Sequence, residues 1–319
     1  MVRSTIRGGT RGAGKRLRAF PLRWVQSLLA AAAAAAVLAA AASAAPSAFP
    51  VSVAADNGRV TIPAKPTRIV SLSPTATEIL FAVGAGKQVL AVDDQSNFPV
   101  AAPRTKLSGF KPNIEAIARY RPDLVIVSSD IDTVVAKLEK LKIPVVQHDA
   151  VVDLSGVYRQ ITQTGAVTGH RAQAAKVVAR MRARLATLTR QVGSRGQGRK
   201  VFHELGPDLF SVTSKTFVGT IYRRFGLTNI ADGSPTDYPQ LSAEAVIAAN
   251  PDLIVLSDTK CCQQTAALVA ARPGWSGIAA VKSGAVAGVN DDIASRWGPR
   301  IVRFAEVVAA RLIALPAPG

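Results

Sequence analysis

The chain is poor in histidine, cysteine, aromatic side chains and acids, and each shortage closes off a class of function. Its three histidines, His148, His170 and His203, fall at no spacing that makes a bare zinc or manganese site. Aromatics make up 5% of the 319 residues, too few for the stacking platforms that hold nucleic-acid bases. The βα turns lack G-x-G-x-x-G, and there is no G-x-S-x-G elbow and no H-E-x-x-H helix. A nicotinamide enzyme and the common hydrolases are therefore not indicated. A secreted α/β enzyme of another kind stands as the alternative from a different class. Only two cysteines occur, adjacent at Cys261-Cys262, and neither follows the apolar N-terminal run, so a lipobox has nothing to acylate.

Acids number 21 against 39 lysines and arginines, a formal net charge of +18. Seven of the bases (Arg3, Arg7, Arg11, Lys15, Arg16, Arg18, Arg23) precede residue 45 with no acid among them. The rest are spread without a run of five, which reads as a solvated basic surface and not as a nucleic-acid stripe. The basic terminus leads into WVQSLLAAAAAAAVLAAAASAA, and Ala42-Ser43-Ala44 has the small-residue pattern of a secretory cleavage site. Residues 1–44 read as a signal peptide, and the protein as exported. An uncleaved anchor is the other reading, since about twenty apolar residues can span a bilayer. The weak lipophilicity of alanine favours cleavage.

What is present is globular: 48% hydrophobic residues, in segments that alternate between strand and helix patterns. FPVSVAADNGRVTIPAKP holds two short β-prone runs around Asp56-Asn57-Gly58, a hairpin signal. RIVSL predicts a strand, and Ser73-Pro74 an N-cap with proline at the first helical position. Thr75 and Glu78 offer an alternative capping box. TATEILFAV predicts a helix stopping at Gly84 and Gly86, and VLAVDD the next strand. Asn113 caps IEAIARY, then come PDLVIVSSD, the helix VVAKLEKLKI and the strand PVVQHD. The second half runs in the same order: KVFHEL and LFSVT as strands, TFVGTIYRRFGL as a helix, SAEAVIAAN, PDLIVLSDT, AVAGV, and a last helix over Ile301–Leu315.

Pro122–Asp130 (PDLVIVSSD) is nearly respelled at Pro251–Thr259 (PDLIVLSDT), and each copy follows a glutamate at the same offset, Glu115 and Glu244. Between the halves, residues 169–192 carry apolar positions at helical spacing without an internal glycine or proline. At about 1.5 Å per residue this helix would run roughly 35 Å, enough to bridge two lobes. The expected organisation is an N-terminal segment with a short hairpin (45–66), an α/β lobe (67–154), a helical linker (155–198) and a second α/β lobe (199–319). Strands that alternate with helices make parallel sheets, whose ligands sit beyond the strand C-termini. Two such lobes place a ligand cleft between them.

RIVSLSPTATEILFAVGAGKQVLAVDD followed by FKPNIEAIARYRPDLVIVSS, with VTIPAKPTRI before and DDIASRWGPRI after, resembles the vitamin B12 and ferric-siderophore binding proteins of ABC importers. These are the class III substrate-binding proteins, and the resemblance runs from about Val60 to Leu315. It implies two Rossmann-like lobes joined by one rigid helix, and delivery of a captured chelate to a permease dimer with a cytoplasmic ATPase. The chain is expected to act as a monomer, without a cofactor, a bound metal of its own or nucleic acid. Glu115 and Glu244 match the carboxylates that pair with permease arginines in the family. A carboxylate in a first helical turn also suits the helix dipole, and the two readings are compatible.

For the cleft, the resemblance points to Gln95, Phe110, Tyr238 and the loop Asn290–Trp297. Phe110 and Tyr238 match aromatic positions of cobalamin-binding members, where rings cover the flat faces of a macrocycle; lobe packing is the alternative for each. Asp292 and Arg296 match polar positions of the same site, and Trp297 closes the loop. Arg300 reads as a surface or capping residue of the last helix. A corrinoid is the first ligand reading, a ferric siderophore the second and haem the third. Cys261 and Cys262 are read as a vicinal disulfide on the cleft floor, or as two buried thiols. Neighbouring Cα atoms lie about 3.8 Å apart, below the usual disulfide range, so such a bond would be strained and a poor staple.

Overall fold

The hairpin forms where Asp56-Asn57-Gly58 predicts it. In a computed structural model describing residues 49–316, β1 (Val51–Ala55) and β2 (Gly58–Ile62) pair antiparallel, from Val51 opposite Ile62 to Ala55 opposite Gly58. Gly58 takes φ 102°, which a side chain would resist. Asn57 ties the hairpin to the body of the first lobe, donating to the Val145 carbonyl and accepting from the Gln147 amide, each at 3.0 Å. The expected signal peptide over residues 1–44 lies outside the described residues.

The first sheet contains β3 (Ile69–Leu72), followed by α1 (Pro74–Ala82), then β4 (Val89–Val92), α2 (Ile114–Arg119), β5 (Leu124–Val127), α3 (Val134–Lys140) and β6 (Val145–Gln147). Its four strands are parallel in the order β4-β3-β5-β6. Two helices come next, α4 (Leu154–Val167) and α5 (Arg171–Val192). The second sheet is built from β7 (Lys200–Glu204), α6 (Phe217–Arg224), β8 (Thr228–Asn229), α7 (Ala243–Ala249) and β9 (Leu253–Leu256). It is completed by α8 (Ala266–Ala270), α9 (Ala279–Lys282), β10 (Val286–Gly288), α10 (Asp291–Ser295) and α11 (Ile301–Ala314). Its order, β8-β7-β9-β10, repeats the first sheet strand for strand. The molecule is an α/β protein of two lobes.

The respelled motif has a local cause. β5 and β9 are the equivalent inner strands, buried at every residue. The aspartate before each caps the edge of the neighbouring strand: Asp123 accepts from the amides of Thr67 (2.7 Å) and Arg68 (2.9 Å), and Asp252 from that of Lys200 (2.8 Å). In the same way Asn113 caps α2 through the Ala116 amide (2.9 Å), and Ser242 caps α7 through that of Ala245 (3.1 Å).

Two local expectations fail. LFSVT is not a sheet strand: Ser211 and Thr213 donate their amides to the carbonyls of Pro239 and Asp237, so the segment pairs with a loop instead. The capping box at Thr75 and Glu78 is not used either. Ser73 caps α1 through the Ala76 amide (3.3 Å), which leaves the Glu78 carboxylate free to turn elsewhere.

Helix α5 buries Ala174, Val177, Met181, Leu185, Leu188 and Val192, one stripe at helical spacing. It packs on α4 from the first half of the chain and on α11 from the second. A single apolar core therefore continues from Leu124 and Ile126 of β5 through this stripe to Phe202, Ile254 and Phe304. Val125 and Val127 point to the opposite face of the first sheet, against Ile117 and Leu138.

Candidate functional site

Segments that lie beyond the strand C-termini of the two lobes, after β4 and after β10, meet around Glu78. This carboxylate, on α1 and buried, accepts from Nη1 of Arg296 (3.0 Å) and from Nε of Arg300 (2.8 Å), with a second, shorter contact to Nη2 of Arg300. Arg296, 7% exposed, also donates to Oδ1 of Asn97 (2.8 Å), to the Gln95 carbonyl (3.0 Å) and to Oδ1 of Asp292 (2.9 Å). Asn97 returns a bond to Oδ2 of Asp292 (2.8 Å). Glu78, Gln95 and Asn97 belong to the first lobe, and Asp292, Arg296 and Arg300 to the second, so this is a clasp across the lobe boundary. Arg300 is thus no surface residue: its guanidinium also lies over the Phe98 ring, 4.2 Å from the centroid. Beside the clasp is an apolar groove of about 310 Å³, lined by Phe81, Ala82, Phe98, Pro99 and Pro299.

Asp292 carries the clasp on into the second lobe. Burial raises its carboxyl, but hydrogen bonds from Lys260 and Asn97 and the charges of Arg296 and Lys260 outweigh it and hold the carboxyl below its ordinary value. The Lys260 ammonium reaches Asp292 at 3.0 Å, and the amides of Lys260 (2.9 Å) and Cys261 (2.8 Å) donate to the Asp291 carboxylate. Cys261 and Cys262 lie on this loop with their sulfurs in contact, and both residues are exposed. They are not two buried thiols.

Gln95, Asp292 and Arg296 are therefore brought together, Gln95 through its backbone while its side chain stays exposed. Phe110 and Tyr238 are both open, at 72% and 55% exposure, one on each lobe. Phe110 is placed by its neighbour: a Cβ on Gly109 would lie 2.6 Å from the Leu72 carbonyl oxygen, so only glycine lets this loop cross the end of β3. Burial and the charge of Asp237 raise the Tyr238 hydroxyl above its usual value. Trp297 is engaged by protein, its indole N–H donating to Gln160 (2.9 Å) and its ring meeting Phe217 edge-on. Glu115 and Glu244 are exposed in the first turns of α2 and α7.

Sequence reasoning missed Glu78, Asn97 and Arg300 as site residues. One signal was available for Glu78: a single acid inside the otherwise apolar TATEILFAV, which must find a cation once buried.

A second buried cluster lies under the same strand ends. Glu204, at the end of β7, is held by both guanidinium nitrogens of Arg272 at 2.6 Å each, and Arg272 stacks on Trp275. No donor among the described residues reaches either carboxyl oxygen of Asp258, which follows β9. Burial first, then the Glu204 charge, pushes Asp258 up to about 7. His203 is a hydrogen-bonded core residue, with Nδ1 2.6 Å from the Tyr222 hydroxyl and Nε2 3.0 Å from the Ser257 hydroxyl.

The pattern of the family described as periplasmic binding protein matches residues 69–293, which take in both sheets. The chain belongs to this family. A cobalamin-binding protein of Halobacterium salinarum is 32% identical to this binding protein over 265 residues, spanning 80% of this chain and 72% of its own. The uncharacterized ABC transporter substrate-binding lipoprotein YvrC of Bacillus subtilis is 31% identical over 272 residues, 82% of this chain and 85% of its own. Among solved structures, the periplasmic vitamin B12 binding protein BtuF of Vibrio cholerae matches with a TM-score of 0.65 at 26% identity, covering 77% of this chain and 96% of that one. These relatives are binding proteins, not enzymes. A substrate-binding protein of an ABC transporter works with a membrane permease, an ATPase and a small-molecule ligand.

Proposed function

We propose that this protein is the extracytoplasmic substrate-binding component of an ABC importer, and that it captures a corrinoid between its lobes for a membrane permease dimer. The observation that carries the reading is the pair of open aromatic side chains, Phe110 on one lobe and Tyr238 on the other. Flat apolar rings of this kind suit the faces of a macrocycle. The cobalamin-binding and vitamin B12 binding relatives support the same ligand. Gln95 and Asp292 supply polar contacts at the floor, while Arg296 and Trp297 shape the floor through the protein groups that they engage. Glu115 and Glu244 dock the loaded monomer on the permease. Residues 1–44 direct export and are then removed, and the lobes fall at 67–154 and 199–319.

The test is titration of the mature chain with cyanocobalamin, haem and a ferric hydroxamate siderophore, read by tryptophan quenching and ligand absorbance. Trp297, next to the proposed floor, supplies the signal. Saturable binding of cyanocobalamin alone is expected. Binding of haem or of the siderophore in its place overturns the corrinoid assignment and keeps the importer role. Turnover of a small substrate without chelate binding overturns both.

A further inference from the structure

Cys261 and Cys262 sit on the loop that leaves the C-terminal end of β9, the end at which parallel α/β sheets meet their ligands. The loop's backbone is pinned on two sides. Asp291 takes the amides of Lys260 and Cys261, and the carbonyl of Asp258 takes those of Cys262 (3.2 Å) and Gln264 (3.3 Å). Through Lys260 the loop also touches Asp292, which bonds Asn97 of the other lobe. The two cysteines therefore lie at the rim of the lobe boundary, next to the clasp. Cysteines that act as small hydrophobes are among the most buried of residues; these two are exposed, and the chain has no others.

We propose that Cys261 and Cys262 form a vicinal disulfide that serves as a ligand-contacting surface of the second lobe, and that its oxidation state sets the affinity for the bound chelate. The proposal rests on the cleft reading above. Closing the small ring through the shared peptide bond freezes both side chains into one apolar edge, so ordering them is not charged against binding. Opening the ring breaks the Sγ–Sγ bond with two electrons and two protons from a dithiol, which itself closes to a disulfide. The products are two thiols that rotate freely, beside Gln263 at φ 55°. An exposed disulfide is of the labile kind that such exchange reaches.

The mature chain is purified without reductant, and a second portion is reduced with dithiothreitol and desalted anaerobically. Both are compared with the double variant Cys261→Ser/Cys262→Ser. Intact mass of the unreduced monomer should be two hydrogens below that of the reduced one. Each form is titrated with cyanocobalamin, haem and the ferric hydroxamate. The chelate that binds should do so about tenfold more weakly to the reduced and the serine forms, the worth of roughly one good contact. Equal affinity for the three forms overturns the contact role and leaves the importer reading standing. Thiols that alkylate freely before reduction overturn the disulfide itself. No binding of any chelate to any form overturns the importer reading, and this proposal with it.

Discussion

Asp258 has no exposed surface, no donor among the described residues reaches its carboxyl oxygens, and it faces another buried carboxylate, an arrangement that favours its protonated form. An unfolded aspartate titrates near 3.8, whereas Asp258 is pushed up to about 7. Between those values the folded chain keeps a proton that the unfolded chain has released. The stability this proton contributes is complete below the unfolded value and is lost as pH rises to about 7. Asp258→Asn keeps the size and offers Glu204 a donor at every pH. It should melt with wild type near about pH 4 and several degrees above it near about pH 8, measured by calorimetry. A difference that does not vary with pH would exclude the shared proton. His148 and His203 act with the opposite sign, since burial depresses them to about 4 and about 3. They favour the fold above their unfolded value near 6.5 and weaken it as pH falls, equally in both proteins.

At the scale of elements, the twofold repeat was legible because its causes are local. A capped first turn, a proline that ends the helix, an aspartate that holds the next strand edge and a buried strand lie within a short stretch of chain, and each leaves its own letter. The clasp was not legible, because Glu78 and Arg296 are 218 positions apart and nothing near either names the other. For the same reason LFSVT read as a strand: its alternation was visible, but its partner at Asp237–Gln240 was not. The clasp joins α1 to the end of α10 and the start of α11, while α5 packs on α4 and α11. Glu78→Ala leaves Arg300 without its carboxylate and Arg296 with Asp292 alone, and should cost about 3–5 kcal/mol in denaturant unfolding. Glu78→Gln, which keeps one acceptor, should cost less. Small-angle scattering curves of the free and loaded wild type should nearly superimpose. A loss below about 1 kcal/mol in Glu78→Ala, the range of exposed pairs, would show that the clasp does not hold the lobes.

For the whole molecule, the question is how a basic protein presents itself to a membrane permease. Without the seven bases of residues 1–44 its formal charge is still +11, of the wrong sign for the arginines that the proposed docking would meet on a permease, so that docking would rely on local acids that stand clear of this field. Glu115 and Glu244 meet this need: each is exposed in the first turn of a helix, at the same place in its lobe's topology. Hydrogen bonds from its own amide and from Ser242 hold the Glu244 carboxyl below its ordinary value, so it stays charged under mildly acidic conditions. Two residues further along the same helices, Ile117 and Val246 are fully buried and fix each helix to its sheet. Two carboxylates on duplicated mounts suit the proposed docking on a permease dimer in a way that scattered surface charge does not. Exchanging both for lysine should therefore abolish ligand uptake in cells while ligand affinity in solution stays within about threefold, since rim charges set registration more than a remote pocket. Each single exchange should retain part of the uptake, because one lobe still engages. Melting temperature should move little, both residues being exposed. If the double variant loses ligand binding in proportion to uptake, the two carboxylates line the cleft, and docking is done by other residues.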